Sequence, residues 1–526
     1  MAHNFLAYDR EQQFLMPPSL AEWLPEDHLA FFLLDVVDEL DLEPFQARYR
    51  RGGAGRAAYD PKMLLAVLLY AYCIGERSSR RIERRLCEDV AFRVIAANQA
   101  PDHATIARFR AEHEEAIKGL FTQALALCAT AGLVKVALVA VDGTKIAASA
   151  SRSANQTAGA IAAEIERMFG EAKAIDEAED ALYGDRRGDE LPAGLRRRSE
   201  RVARLKQLKA RLDAEDAARR GKVERHEAKR KEIEASGRRV RGRKMRPKDP
   251  EKVKKSKGNT TDPDSRVMKT PQGFIQGYNA HIAVTEDQVI LAGEVSQHPV
   301  DVGMLKPVII QAGTELEHVG VTDAIGTVVA DAGYFSERNA TLALGPELLI
   351  APVSSITLRA GVTASDPKPD TRAAFVAADL AQARQRAGVF ERWNAGELDY
   401  RGAASEIGLS VPRTYYWRNR YRARGIQGLL SGKPPAKPKE PSIRQRMLAK
   451  ITSEAGRTTY AKRSRTVEPV FGQIKEPRGI RRFMRRGASA CDSEWKLITA
   501  THNLLKLWRA GWTPLDHTPT ITPAIA

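Results

Sequence analysis

Two short apolar runs, 134–141 and 328–330, each lead straight into an acid, Asp142 and Asp331. Both are rich in valine and alanine, the pattern of strands buried within a sheet. They lie far apart in the chain, so a sheet that pairs them must set the intervening residues aside as separate substructures. After the first run, Asp142-Gly143-Thr144-Lys145 reads as a turn.

The stretches around them supply the rest of a mixed sheet. Residues 274–284 and 289–295 alternate as strands joined by Thr285-Glu286-Asp287-Gln288, a hairpin. A helix follows over 304–312, Ser336 caps a short one, and 347–353 is a further strand. The order is strand, insertion, hairpin, helix, strand, helix, strand, which predicts an α/β fold with helices packed on a mixed sheet.

Residues 1–132 read as helical. Asp27 caps a helix beginning near His28, and Pro61 suits the first turn of another. A helix over 79–86 carries Arg80, Arg81, Arg84 and Arg85. Asp102 caps one over 103–112 that carries Thr105, Arg108 and Arg110. Arginines on short helices suit phosphate contacts, and they also suit a plain solvated face.

Charge is concentrated in one place. Residues 196–257 hold 26 basic and 10 acidic side chains, an excess of about 16 that accounts for nearly all of the net charge of +17. A long charged helix, with a brief apolar seam at Leu205, Leu208 and Leu212, runs into a flexible basic tail. A nucleic-acid arm is the favoured reading and a solvated linker the alternative. The four cysteines, Cys73, Cys87, Cys128 and Cys491, have neither CxxC nor metal-ligand spacing. No leader or membrane-length apolar run is present, so a soluble, intracellular protein is expected.

Residues 353–440 look inserted. Two short helices, 399–408 and 411–424, flank Leu409-Ser410 and resemble a helix-turn-helix. Arg413, Thr414, Tyr415 and Arg418 would face the DNA groove, and Arg420, Arg422 and Arg424 the phosphates. Pro434, Pro435, Pro438 and Pro441 form a stiff linker. In the final segment Pro469 suits a helix first turn, which puts Glu468 at the helix entrance.

Asp142, Asp331 and Glu468 together can hold a pair of divalent ions. Such a pair stabilises the attacking and leaving oxygens of phosphoryl transfer. Hard oxygen ligands favour Mg²⁺, with Mn²⁺ as a substitute. Singly, each acid also fits a structural part: a turn, a capped loop, or a carboxylate at a helix N-terminus.

Four stretches resemble the bacterial insertion-sequence transposases of the DDE type. They are YDPKMLLAVLLYAY with SSRRIERRLCEDVAFRVIAANQAPDHATIARFR, then VDGTKIAASAS, then NTTDPDSRVMKTPQGFIQGYNAHIAV with VVADAGYFS, and finally YAKRSRTVEPVFGQIKEPRGIRRFMRRG with THNLLKLW. The resemblance implies a ribonuclease H-like core formed by 133–155, 259–352 and 441–512. It also implies an N-terminal all-α DNA-binding domain (1–132), two mainly helical insertions (156–258 and 353–440) and a disordered tail (513–526).

Asp142, Asp331 and Glu468 would be the metal-binding triad, with two Mg²⁺ ions. The last stretch also resembles a Tyr–Arg–Glu–Lys signature, which assigns Tyr460, Arg463, Glu468 and Lys475. Four residues separate Arg463 from Glu468 where the signature usually has three, so Arg465 is an alternative. Glu468 and Lys475 lie two turns apart on one helix face, with Gly472 between them. The implied reaction is cleavage at the transposon ends followed by attack of the freed 3′-hydroxyl on target DNA, performed by a homodimer at the bacterial nucleoid, away from membranes. Residues 332–467 lack the cysteines common in relatives. A domesticated DNA-binding regulator and a nuclease without strand transfer are the competing readings.

Overall fold

The computed structural model describes residues 19–49, 57–183, 193–237, 244–247, 249–353, 372–430 and 440–514. It is a mixed α/β structure that divides into two compact units, residues 1–358 with 453–526, and residues 359–452. The second unit takes in the Ile443–Thr452 helix, beyond the expected insertion boundary at 440.

Among the described residues eight strands are formed: β1 Leu138–Ala147, β2 Asn155–Thr157, β3 Lys257–Asn259, β4 Arg266–Thr270, β5 Gly273–Thr285, β6 Ile290–Ser296, β7 Thr327–Ala330 and β8 Glu347–Ile350. The main sheet runs β6-β5-β1-β7-β8, and β4 also pairs with β5. The β6-β5-β1 side is antiparallel, whereas β7 and β8 run parallel to β1.

β1 does not end at Asp142. β5 is long enough to pair it as far as Ala147↔Gly277, so residues 142–145 are strand and not the expected turn. The parallel partner is shorter. β7 matches β1 only from Leu138↔Thr327 to Val141↔Ala330. The next residue on each strand is an aspartate, and the two acids therefore stand side by side where the parallel ladder stops.

Before β1 the described chain is helical. The helix Pro61–Cys73 is capped by Asp60, carries Pro61 in its first turn and is buried continuously from Leu64. The first long helix is capped by His28 and not by Asp27, because the His28 ring nitrogen accepts from the Ala30 N–H. Asp102 caps His103–Glu112 as expected.

The charged insertion forms two long helices, Ala158–Tyr183 and Ala193–Ala235. Leu205, Leu208 and Leu212 pack against Ile161, Ile165 and Met168, so the short apolar seam serves an intramolecular hairpin. The expected flexible basic tail is overturned over 250–259. Pro250–Lys254 is a helical turn and Lys257–Asn259 pairs with β2, while residues 238–243 and 248 lie outside the described residues. Pro434, Pro435 and Pro438 of the linker, and residues 515–526 of the tail, also lie outside them.

The final helix, Ala488–Arg509, docks on the sheet. Asn503 both accepts from the Ile290 N–H and donates to its carbonyl, each at 2.9 Å, and so satisfies the backbone of β6. The Trp495 indole donates to the His281 carbonyl.

Candidate active site

Glu468 is not at a helix start. It lies well inside a helix, Glu454–Lys475, capped fifteen residues upstream by Ser453. Pro469 is an interior proline and leaves the carbonyl of Arg465 without its helical donor. Gln288, in the β5–β6 hairpin, donates its side-chain amide to that carbonyl at 3.3 Å. This long-range contact is how the helix tolerates a residue that otherwise marks a beginning.

The helix carries its functional face to the end of the parallel ladder. Arg463 reaches Asp142 Oδ2 at 2.9 Å and Glu468 Oε1 at 3.3 Å. Its guanidinium therefore bridges an acid of the sheet and an acid of the helix. Arg465 is exposed, so of the two arginines only Arg463 is seen to reach these acids.

Burial pushes the Asp142 carboxyl up to about 6; Arg463 works against this and neighbouring Asp331 adds to it. Burial likewise raises Asp331, with Arg463 again opposing. For Arg463 burial lowers the pKa, but Asp142, Tyr460 and Asp331 more than offset this and hold the guanidinium charged. Tyr460 is half-enclosed beside Arg463 and its phenol is pushed up to about 12, chiefly by burial.

Lys475, seven residues past Glu468, donates to the Thr144 hydroxyl on β1. Asp142 and Thr144 alternate onto the same side of the strand, so Lys475 and Arg463 flank one surface. Burial lowers the Lys475 pKa, with Arg481 adding to the effect.

A second set of polar residues lies on the other face of β1, and the sequence reading missed it. Lys145 donates to Asn279 at 3.0 Å and to Asp301 at 2.8 Å, and Asn279 donates to Asp301 at 2.7 Å. The Asp301 carboxylate packs against Gly333, and a Cβ there would sit 2.8 Å from Asp301 Oδ2. Gly333 in turn donates its N–H to Asp331 Oδ1 at 2.9 Å. Burial would raise the Asp301 carboxyl, but Lys145 and Asn279 outweigh it and hold it below the usual range. Beneath Gly143, His281 Nδ1 and the Tyr334 hydroxyl are 2.6 Å apart. The legible signal was Asn279 and His281, polar residues interrupting the apolar run 278–284 of that strand.

Among the described residues, no three His, Cys, Asp or Glu side chains converge closely enough to hold an ion. The donor chemistry of Asp142, Asp331 and Glu468 nevertheless suits a hard divalent cation. All three offer carboxylate oxygens, and a positive charge already lies between two of them.

The candidate DNA-contacting residues divide. Arg80, Arg81 and Arg84 are exposed on the Ser79–Glu88 helix, with Arg81 paired to Glu76 at 3.1 Å. Thr105 and Arg108 line a cleft of about 850 Å³ with Tyr49, Tyr59 and Gln99. Arg110 does not belong with them. It is buried, donating to the Arg77 carbonyl at 2.9 Å, the Tyr72 hydroxyl at 3.3 Å and Ser79, and it joins three helical segments internally. Thr414 is also buried, its hydroxyl donating to the Ser410 carbonyl, so it cannot face a groove. Arg418 lies flat over Trp393 at 3.8 Å and is bonded to Asn394, whereas Arg413 is exposed.

Two families match the chain: a transposase domain (DUF772) over residues 18–112, and a transposase DDE domain over 436–508. The two matches together cover about a third of the chain and support an insertion-sequence DDE transposase. Tyr460, Arg463, Glu468 and Lys475 fall within the second match, and the exposed arginines of Ser79–Glu88 within the first. Asp142 and Asp331 lie between the two. No curated protein and no solved structure matches the chain. Among the described residues no helix is long and apolar enough to cross a membrane.

Proposed function

We propose that this transposase binds the ends of its insertion sequence, cleaves the DNA there and joins the freed 3′ ends to a target duplex. The observation that carries this reading is the meeting of Asp142 and Asp331 at the end of the parallel ladder, with Arg463 tying Glu468 to Asp142. An antiparallel trio followed by two parallel strands supports a ribonuclease H-like core. The stretch 1–132, helical over its described residues, is then the end-binding domain.

Asp142, Asp331 and Glu468 would hold Mg²⁺, which when bound activates the attacking oxygen and neutralises charge on the scissile phosphate. Arg463 keeps the two outer carboxylates convergent and offers its free edge to a phosphate. Lys475, anchored on Thr144, places a cation two turns along the same helix. Tyr460 supplies a hydroxyl that stays protonated at neutral pH. Arg80, Arg81, Arg84, Thr105 and Arg108 provide the backbone contacts that position the end, and two copies of the chain pair two ends. The reaction takes place in the bacterial cytoplasm, at the nucleoid.

Incubation with Mg²⁺ and a labelled duplex carrying the element's own ends tests the reading. The wild type should cleave and form strand-transfer products, and Asp331→Ala should abolish both while still binding. Cleavage without strand transfer would make the protein a nuclease. Binding without cleavage by either protein, in Mg²⁺ or Mn²⁺, would make it a DNA-binding regulator.

A further inference from the structure

The second unit has its own core, formed by Ala383, Ala387, Phe390, Trp417 and Leu429, and presents one strongly basic helix. That helix, Val411–Arg424, holds five arginines and no acid. It follows the capped helix Tyr400–Glu406 through a short turn in which Gly408 has φ +65°.

Its inner face is settled by contacts. Thr414 and Trp417 are buried, Tyr421 bonds Glu391 at 2.6 Å, and Arg418 and Arg422 converge on Asn394. At 100° per residue the opposite face carries Arg413, Tyr416, Asn419 and Arg420. Tyr416 is 55% exposed, and Arg413 and Asn419 are exposed. Arg420 lies over the Trp417 and Tyr416 rings at 4.8 and 5.7 Å, which holds its charge on this face. Nothing in the unit's core requires an aromatic residue outside, and no acid on the helix neutralises the arginines.

We infer that this face is a second double-stranded DNA contact, distinct from the N-terminal helices, in which Arg413, Tyr416 and Asn419 enter the major groove and Arg420 and Arg424 hold phosphates. The second helix of such a pair enters the groove by its N-terminal residues, where Arg413 and Tyr416 stand. A helix of this length also fits the groove's width. Thr414 and Arg418 position the helix and do not touch DNA. The inference rests on the transposase reading only for the choice of DNA as the polyanion.

The test uses the full chain in EDTA, so that cleavage plays no part. Anisotropy titrations and hydroxyl-radical footprints are run on the end duplex and on a random duplex. Arg413→Ala/Tyr416→Ala should weaken duplex binding at least about tenfold, and Arg420→Ala/Arg424→Ala should make its salt dependence shallower by about one to two units. The first pair should erase one block of the footprint while leaving the block that Arg80→Ala/Arg84→Ala removes. Its thermal unfolding should be unchanged, since both side chains are exposed. Unaltered affinity and footprint would overturn the inference, and so would an equal loss on single-stranded DNA or RNA. Either outcome is independent of whether Asp331→Ala abolishes cleavage, so the two proposals can fail separately.

Discussion

Asp142 shows what the site costs the fold. Its carboxyl is largely withdrawn from water and stands beside Asp331, with the Arg463 cation in compensation. The folded-state value of about 6 lies above the roughly 3.9 of an unfolded chain. Between those values the native state holds the extra proton, so stability falls as pH rises through that window. Asp142→Asn removes this loss. Urea titrations should find the variant about 1–3 kcal/mol more stable than wild type at pH 7, with the advantage gone below about pH 4. A variant less stable at both pH values would mean that the Arg463 pair, and not the burial, dominates. Mg²⁺ should raise the wild-type melting midpoint and leave that of Asp142→Asn unmoved, a readout that needs no DNA.

At the scale of elements, the strands and the acids that follow their apolar runs were legible because buried parallel strands read as unbroken apolar runs, although β1 continues past Asp142. The helix that delivers Glu468 was not. Pro469 is favoured in a first turn, and local preference alone starts the helix there. What overrides it is Gln288, nearly 180 residues away, and no window along the chain contains both. The same limit explains Arg110 and Thr414. Their neighbours in sequence look like those of exposed side chains, and only the packing of other helices shows that they are enclosed. The Gln288 account predicts a coupling. Gln288→Ala should cost about 1 kcal/mol, because it strands the Arg465 carbonyl. Pro469→Ala should stabilise by about 1–3 kcal/mol, since an N–H at 469 can serve that carbonyl. In the Pro469→Ala background the cost of Gln288→Ala should shrink to what the loss of the Gln473 and Lys506 bonds to its side-chain oxygen leaves. A chemical-denaturation cycle with additive effects would show that the contact is incidental.

At the scale of the whole molecule, the two units have separate cores, and the larger one is bound together by buried charge. Arg478 is enclosed and donates to the Tyr72 and Ile498 carbonyls and to Thr501 at 2.6 Å, with burial pulling its pKa down to about 10. Its own carbonyl occupies the space where a Cβ at Gly75 would go, and Gly75 has φ +83°, so only glycine fits there. Two residues on, Arg77 pairs with buried Glu494 at 3.1 Å. These contacts fasten the N-terminal helices to the final helix and to the segment that follows the Glu468 helix. The helices that carry Arg80 and Arg84 should therefore melt together with the sheet. Removing one partner of such a pair leaves an uncompensated buried charge, at a cost of about 3–5 kcal/mol. Calorimetry should resolve two transitions. Arg77→Ala should lower the larger one alone, whereas Phe390→Ala, which opens a cavity in the second unit's core, should lower the smaller one alone. A third transition appearing in the wild type would mean that the N-terminal helices unfold by themselves, and that the buried arginines do not bind them to the main sheet.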